Sequence, residues 1–236
     1  MKPIIFTYWE GEKPPYIELC EDIISRKTRL YFHYVPVTDQ NLFNYIERHQ
    51  FPDNFFHLSL AHKADYLRCE LLTEHGGIWL DSDQILTSDM SSIIPYLQIW
   101  DYVGYEWETL SPSLGFMGAR KQCPLLVSWR EKMKAMIKIK ATFGWEELGY
   151  QVLHPLLKHM VSLEELNYMA FDAKTSFAPI YWKNWETFFD TRVDMVSSRY
   201  SVMLYNSQFP NWFKKMSAVE ILRQDYLISR LFRRCF

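Results

Sequence analysis

Short apolar runs alternate with amphipathic stretches in the first part of the chain. Residues 3–9 and 30–37 are rich in β-branched and aromatic side chains, which predicts two buried strands. Residues 17–25 place apolar side chains at helical spacing, and residues 42–49 are predicted as another short helix. A strand–helix–strand–helix order is typical of an α/β domain. We therefore expect a mainly parallel central sheet flanked by helices, followed by a mixed α+β C-terminal part.

The most regular helical pattern of the first half covers residues 58–75. Its apolar stripe consists of Leu60, Ala64, Leu67 and Leu71. Ser59 is suited to cap the start of this helix. Gly76 and Gly77 are suited to end it, because glycine adopts a left-handed conformation without a Cβ penalty. Residues 78–80 then predict a buried strand that leads into two acidic residues.

The rest of the chain gives a less regular pattern. Residues 84–95 are predicted as a loop with a short helix, whereas the extended segments are 101–105, 113–119, 170–181 and 200–205. The predicted helices are 124–140, 145–159 and 217–236. Because the chain shows no internal repeat and no convincing linker, we expect a single domain over residues 1–236. Its two halves would be residues 1–105, for a donor molecule, and 106–236, for an acceptor and a C-terminal helix.

Composition narrows the class of protein. The 236 residues include 26 Lys and Arg against 28 Asp and Glu, a formal charge of −2, which argues against a dedicated DNA-binding protein. A hydrophobic content of 48% excludes disorder over most of the chain. The four cysteines form no CxxC pair, which excludes a zinc ribbon and favours reduced thiols. Without a signal peptide or a long apolar stretch, the expected location is the cytoplasm.

Two acidic residues, Asp81 and Asp83, follow the predicted strand 78–80 directly. Ligands of open α/β sheets bind beyond the carboxyl ends of strands. Two carboxylates at such a place suit Mg²⁺ or Mn²⁺ carrying a diphosphate. Asp65 and Arg68 lie three residues apart on the preceding helix, so both project from one face of it. They are either an isolated surface ion pair or part of the same cleft.

This stretch resembles the sugar-binding region of family 32-type glycosyltransferases and of bacterial capsular polysaccharide synthesis proteins. The family pattern is an Asp-x-x-Arg helix, an apolar stretch, Gly-Gly, an aromatic strand and Asp-x-Asp. Here it reads ADYLR at 64–68, GGIWL at 76–80 and DSD at 81–83, and the opening PIIFTYWEGEKPP is also similar. The resemblance is strongest over residues 1–90 and weaker afterwards.

The resemblance implies a GT-A fold with a Rossmann-like sheet and a nucleotide-sugar donor, UDP- or GDP-linked. It also implies the donor-binding residues Tyr8, Trp9, Asp65, Arg68 and Asp81. Trp9 would stack on the base, Asp65 would accept hydrogen bonds from the sugar, and Arg68 would hold the sugar or the diphosphate. Transfer with retention of the anomeric configuration to a glycan or lipid-linked acceptor would follow. No catalytic nucleophile or base is assigned.

The resemblance implies that Asp83 binds the metal, Mn²⁺ or Mg²⁺, directly and that Asp81 binds the ribose or the metal; Asn206 is a candidate for a further metal ligand. One departure concerns the late segment VMLYN at 202–206, where the family has a histidine and this chain has Met203. A thioether is a poor ligand for a hard cation. Either Asn206 or water completes the metal site, or metal use is weakened, or the alignment is displaced here. Tyr205 and Asn206 are otherwise sheet-packing residues.

Two further features stay open. Four tryptophans in the second half are either stacking platforms for an acceptor sugar or core residues: Trp107, Trp145, Trp182 and Trp185. The C-terminal stretch 223–236 combines arginines with apolar residues. Such a helix either contacts the inner face of an anionic membrane as a peripheral anchor or packs on the domain.

Two other functions compete with the transferase. The sequence IWLDSDQIL also resembles the opening motif of haloacid dehalogenase-like phosphatases, in which the first aspartate is a nucleophile. That class also needs a downstream lysine and an acidic pair with Gly-Asp character, and no such acidic pair appears after residue 90. The second alternative is a non-catalytic protein of the same fold that binds a nucleotide or a glycan, and Met203 is the residue that favours it.

Overall fold

A six-stranded mixed sheet forms the centre of the computed structural model, which describes residues 2–236. In spatial order its strands are β2 (His33–Val37), β1 (Ile4–Tyr8), β3 (Gly77–Leu80), β6 (Phe116–Ala119), β5 (Tyr102–Glu106) and β7 (Tyr168–Asp172). β1 pairs in parallel with both β2 and β3, and β5 pairs in parallel with β7. Only β6 runs the other way, antiparallel to β3 and to β5. The mainly parallel sheet predicted from the sequence is confirmed.

Five of the six strands therefore point in the same direction. Their carboxyl ends meet along one side of the sheet, which we call the carboxyl edge; β1, β3 and β5 reach it at Tyr8, Leu80 and Glu106. Loops at this edge carry the acidic residues that follow β3.

Helices cover both faces of the sheet. On one face lie α1 (Pro15–Thr28) and the C-terminal helices, and on the other lie α2 (Leu60–His75), α4 (Pro124–Ile139) and α5 (Tyr150–Ser162). Successive residues of a strand pack into the cores on opposite faces of the sheet. Ile5 and Ile78 pack on the side of α1, whereas Phe6 and Trp79 pack on the side of α2. Because both faces are buried, these strands read as continuous apolar runs rather than alternating ones.

The boundaries of α2 follow the local chemistry predicted for them. The Ser59 side chain accepts a hydrogen bond from the backbone N–H of His62 at the start of the helix. Gly76 and Gly77 end it with φ values of 67° and 103°. A Cβ atom on Gly77 would lie 2.5 Å from the carbonyl oxygen of Ile4, so glycine is required where β3 passes β1.

A two-stranded antiparallel ribbon extends the carboxyl edge. It consists of β4 (Gln84–Leu86) and β8 (Ser201–Met203). The prediction of a loop at the start of residues 84–95 is wrong, because the partner strand lies more than 100 residues away and leaves no local signal. Gln84 is fully buried, and its side-chain oxygen accepts a hydrogen bond from the Ser201 hydroxyl at 2.5 Å. A helical turn at Ser91–Ile93 and α3 (Ile94–Ile99) then follow.

Three other predicted elements are shorter than the sequence indicates. Residues 42–49 form two separate 3₁₀ turns at Leu42–Asn44 and Arg48–Gln50 instead of one helix. The helix predicted at 145–159 begins only at Tyr150. The extended segment predicted at 170–181 ends with β7 at Asp172 and continues as α6 (Ala173–Ser176).

The single C-terminal helix predicted over 217–236 is two helices. These are α8 (Ala218–Arg223) and α9 (Leu227–Cys235), separated by extended backbone at Gln224 and Tyr226; α7 (Asn211–Lys214) precedes them. The apolar side of α9 is at most 1% exposed at Leu227, Ile228, Leu231 and Phe232. This side packs on the domain and is not available to a membrane. Within residues 2–236, no helix has both the length and the apolar content to cross a bilayer.

Candidate active site

The carboxyl edge fixes the loop of Asp81 and Asp83 from two sides. The backbone N–H of Asp81 donates to the carbonyl of Gly115 at 2.9 Å, just before β6. The hydroxyl of Ser82 donates to the carbonyl of Tyr8 at 3.0 Å, at the end of β1. The two carboxylates therefore stand on a short loop tied to both neighbouring strands.

Arg68 brings the helix and this loop together. Its Nη2 atom lies 3.3 Å from Oδ1 of Asp81, and its Nε atom lies 3.7 Å from Oδ1 of Asp65. Its Nη1 donates to the carbonyl of Leu114 at 2.7 Å, and its guanidinium lies 5.1 Å from the ring centre of Trp79. Asp65 and Arg68 are therefore part of one cleft with Asp81 rather than an isolated surface pair.

Asp65 is a buried carboxylate with spare hydrogen-bonding capacity. Its side chain is 9% exposed, and within residues 2–236 it makes only the long ion pair with Arg68. Burial raises its pKa to about 6, although Arg68 and His62 oppose that rise. A Cβ atom on Gly149 would lie 2.9 Å from Oδ2 of Asp65, so glycine allows the backbone to pack closely against this carboxylate.

Asp83 is held by the segment that follows β8. Its Oδ2 accepts a hydrogen bond of 2.6 Å from the backbone N–H of Asn206. Burial and the charge of Asp81 raise the pKa of Asp83 to about 6. Tyr205 adopts a left-handed conformation with φ of 60°, unusual for a bulky residue. Strained backbone of this kind is concentrated at functional sites.

Met203 lies beside the two carboxylates. Its methyl group fills the space next to Gly115, and Oδ2 of Asp81 lies 3.4 Å from the place of a Cβ on the same glycine. The segment 202–206 thus reaches the carboxylates. The side-chain oxygen of Asn206 accepts a hydrogen bond from the Tyr16 hydroxyl, which leaves one lone pair for another partner.

The side-chain oxygens of Asp81, Asp83 and Asn206 suit a cation that binds together with the phosphates of a substrate. The part of the chain that the structure describes contains no cluster of three or more His, Cys, Asp or Glu able to hold a metal. Mg²⁺ is commonly bound through one or two carboxylates and the phosphates of a substrate. Asp81 and Asp83, two like charges that crowd each other, fit that arrangement, and Asn206 could add its amide oxygen.

Tyr8 and Trp9 lie next to the loop of Asp81 and Asp83 but differ in their exposure to solvent. Tyr8 is 8% exposed, and its hydroxyl donates to Glu10, which pairs with Lys63 at 2.8 Å. Trp9 is partly exposed directly after β1, and its indole N–H donates to the carbonyl of Glu12 at 3.3 Å. Of the two aromatic residues, Trp9 therefore offers more accessible ring surface at the carboxyl edge.

Comparison with known proteins gives the family. The sequence profile described as "Capsular polysaccharide synthesis protein" matches residues 1–190. The chain belongs to this family. No curated protein matches it.

Two solved structures are similar to this chain. "PaToxG Glycosyltransferase" is 15% identical with a TM-score of 0.50, over 69% of this chain and 70% of that one. A "glycosyltransferase involved in the glycosylation of the major capsid of PBCV-1" is 13% identical with a TM-score of 0.43, over 75% and 84% of the two chains. The fold is that of GT-A glycosyltransferases, as expected from the sequence. The family and the fold together support a glycosyltransferase of capsular polysaccharide synthesis.

One residue near the carboxylates of this capsular polysaccharide synthesis protein was missed in the sequence. The amine of Lys214, on α7, is close enough to Asp83 to feel its charge; burial lowers the pKa of Lys214, and Asp83 opposes this change. Lys214 lies beyond the matched residues 1–190 and more than 100 residues from Asp83. No local pattern marks it, because the contact arises only where the chain returns after β8.

Four tryptophans of the second half were candidates for core residues, and this interpretation is wrong for three of them. Trp107, Trp145 and Trp182 are 36%, 71% and 44% exposed. Trp185 is partly buried and packs against the core. These exposed rings are a surface feature of the protein rather than part of its interior.

Proposed function

We propose that this protein is a metal-dependent glycosyltransferase that uses a nucleotide-sugar donor, UDP- or GDP-linked, and transfers the sugar to a glycan or lipid-linked acceptor. The observation that carries the proposal is Arg68, which is held between Asp65 and Asp81 at the carboxyl edge, with Asp83 two residues further on. The retaining course of the reaction rests on the family resemblance.

Asp65 and Arg68 are suited to the donor sugar. The carboxylate of Asp65 is 9% exposed, makes only a long ion pair with Arg68 within residues 2–236, and can accept hydrogen bonds from sugar hydroxyls. Arg68 is a rigid fork of donors whose place is fixed by Asp81 and by the carbonyl of Leu114. Because these partners hold the guanidinium before any ligand binds, little ordering entropy is lost on binding.

Asp81, Asp83 and Lys214 are suited to the diphosphate. A metal ion bound there supplies positive charge that stabilises the departing nucleoside diphosphate. The two aspartates would hold that ion, with Asn206 as a further oxygen donor. Lys214 adds a cation that is close enough to Asp83 to feel its charge. Trp9, beside Ser82 at the end of β1, would stack on the base.

A thermal-shift panel tests the proposal. The ligands are UDP, GDP, UDP-glucose and GDP-mannose, each with and without Mn²⁺. A ligand at 100 times its Kd adds about 2.7 kcal/mol to the free energy of unfolding, which raises the melting midpoint measurably. We expect a shift with one nucleotide that grows with Mn²⁺ and disappears with excess chelator. No shift with any nucleotide contradicts the proposal.

Asp83→Asn separates a functional role of this residue from a structural one. The substitution keeps the shape of the side chain and an oxygen that can accept from the N–H of Asn206. We expect the variant to fold with a normal circular dichroism spectrum, to lose the Mn²⁺-dependent part of the shift and to release no nucleoside diphosphate. A variant with full activity rules out Asp83 as a metal ligand.

The second candidate function is a non-catalytic nucleotide- or glycan-binding protein of the same fold, and Met203 favours it. Its methyl group lies beside Gly115, and the resemblance implies a histidine near the metal in place of Met203. The two functions differ in turnover. A binding protein would show the nucleotide shift but release no nucleoside diphosphate from any sugar donor, with or without acceptor. The phosphatase alternative is not retained, because the family and the fold support a glycosyltransferase.

A further inference from the structure

Three exposed aromatic side chains form a contiguous surface that we call the aromatic shelf: Trp107, Tyr181 and Trp182. They are 36%, 38% and 44% exposed. The rings of Trp107 and Tyr181 meet edge to face with centres 4.9 Å apart, and those of Tyr181 and Trp182 are 5.8 Å apart. Contiguous exposed apolar surface on a protein indicates a binding site more often than single exposed residues do.

The sheet topology places the shelf beside the candidate active site. β3 and β5 are both antiparallel to β6, so they are parallel to each other and end at the same edge. Trp107 follows β5 directly, just as Asp81 follows β3. One strand separates them, which corresponds to about 10 Å between the two strand ends.

Hydrogen bonds tie the shelf to the wall that holds Asp83. The hydroxyl of Tyr205 donates to the carbonyl of Ile180 at 2.7 Å, and Tyr181 is the next residue. Asn206 follows Tyr205 and donates its backbone N–H to Asp83 at 2.6 Å. The position of Tyr181 is thus linked to that of Asp83 through these two hydrogen bonds.

The shelf and Trp9 flank the two aspartates from opposite sides. In the sheet, β1 is the neighbour of β3 on one side, whereas β6 and then β5 lie on the other. A nucleotide that stacks on Trp9 would cover the β1 side of the loop of Asp81 and Asp83. The β5 side, where the shelf lies, would then remain open to the second substrate.

We propose that the aromatic shelf is the acceptor subsite and that its ligand is a saccharide chain, whose reacting hydroxyl points toward Asp81 and Asp83. This inference rests on the proposed function and specifies its acceptor. The chemistry of the shelf matches that of a saccharide. Flat aromatic rings can cover the C–H face of a pyranose, and the indole N–H and phenol O–H groups at the edges of the rings can bond to its hydroxyls. A lipid chain on the same surface would leave those polar groups without partners.

Acceptor kinetics of two shelf variants, Trp107→Ala and Tyr181→Ala, test this assignment. The matched control is Tyr31→Ala: Tyr31 is 41% exposed, like Tyr181, but it precedes β2 and so lies at the opposite edge of the sheet. The probe is a set of oligosaccharides made by mild acid hydrolysis of the capsule of the source strain. Donor binding is measured separately, as the Mn²⁺-dependent thermal shift with the nucleotide.

Loss of an aromatic contact worth about 1.4 kcal/mol corresponds to about a tenfold rise in the KM for the oligosaccharide. We expect that rise in both shelf variants, with the nucleotide shift and the KM for the donor unchanged, and no effect in Tyr31→Ala. Trp107→Phe should recover part of the affinity, because it keeps a flat ring.

Three outcomes overturn the proposal or its basis, and each is recognisable. An unchanged oligosaccharide KM in both shelf variants removes the shelf from the acceptor site. A defect limited to polyprenyl-phosphate-linked acceptors, with free oligosaccharides unaffected, assigns the shelf to a lipid instead. A wild-type protein that shows no nucleotide shift contradicts the proposed function itself, whatever the shelf variants do.

Discussion

Arg68 and Asp81 come from different elements, a helix and a strand end, and lie 3.3 Å apart with the guanidinium almost completely buried. The same guanidinium lies 3.7 Å from Asp65. One cation thus balances two carboxylates in a place where water screens little. This relationship links the stability of the protein to its chemistry, because the groups that would bind the donor also neutralise one another before it binds.

Removing this cation should destabilise the protein. Arg68→Met leaves the buried Asp65 without its counter-charge, and breaking a buried ion pair from one side costs about 3–5 kcal/mol. We expect a loss of that order in the free energy of unfolding measured with urea at pH 7.5. The double variant Asp65→Asn/Arg68→Met should recover part of the loss. If the single and the double variant unfold at the same urea concentration, the unpaired charge of Asp65 is not the cause of the destabilisation.

Asp65→Asn should stabilise the free protein at neutral pH. The pKa of Asp65 is about 6 in the folded protein against an ordinary value of 3.8, so folding favours its protonated form. Stability from this group is fully present below pH 3.8 and is lost as the pH rises through about 6. At pH 7.5 the neutral amide avoids that loss of stability. For a pKa raised from 3.8 to about 6, the loss in the free energy of unfolding is at most about 3 kcal/mol.

Urea titrations of the wild type and of Asp65→Asn at several pH values measure this effect. The variant should be more stable at pH 7.5, and the difference should shrink as the pH approaches 4. The same variant should lose donor binding, because an amide is a weaker acceptor for sugar hydroxyls. An Asp65→Asn protein that is less stable at pH 7.5 shows that the Arg68 contact outweighs the cost of burial.

Gly149→Ala should impair both function and stability. The added methyl group would lie 2.9 Å from Oδ2 of Asp65 and 2.8 Å from a methyl group of Leu114, so the carboxylate must move. Displacement of a binding group by about 1 Å can reduce catalysis about 100-fold, and overfilling a packed site costs about 1–3 kcal/mol. We expect a reduced kcat/KM for the donor and a lower melting midpoint.

Gly144→Ala is the control for this substitution. It adds the same methyl group in the same loop, where the nearest atom, Oε2 of Glu147, would be 3.8 Å away. It should leave donor kinetics unchanged. Equal defects in the two variants would show that the loop as a whole, and not the space in front of Asp65, is sensitive.

Met203→Leu should leave metal dependence unchanged, whereas Met203→His should strengthen it. The thioether contributes little to a hard cation, and leucine has a similar volume. Histidine would place a nitrogen donor beside Gly115 and Asp81. The measurement is the Mn²⁺ concentration that gives half of the nucleotide-dependent thermal shift. A weaker metal response in Met203→Leu would identify the sulfur as a ligand after all.

The sequence by itself was sufficient for α2 and for the strand that leads into Asp81. Helical spacing, the Ser59 cap and Gly76-Gly77 are local signals, and the structure confirms the helix, its cap and its end. Leu60 of the predicted apolar stripe is the exception, because its side chain is 55% exposed. The spacing of Asp65 and Arg68 likewise fixed their common face of the helix. These features could be predicted because they depend on residues only a few positions apart.

Only the tertiary structure decided which distant residues meet at the carboxyl edge. The pairing of β4 with β8, the approach of Lys214 to Asp83 and the aromatic shelf all join segments that are far apart in the chain. The break between α8 and α9 was also hidden, because apolar and basic residues recur through it at nearly helical spacing. Local propensity sets the elements, but long-range packing determines which of their ends come together, and in this protein the candidate active site is built from those ends.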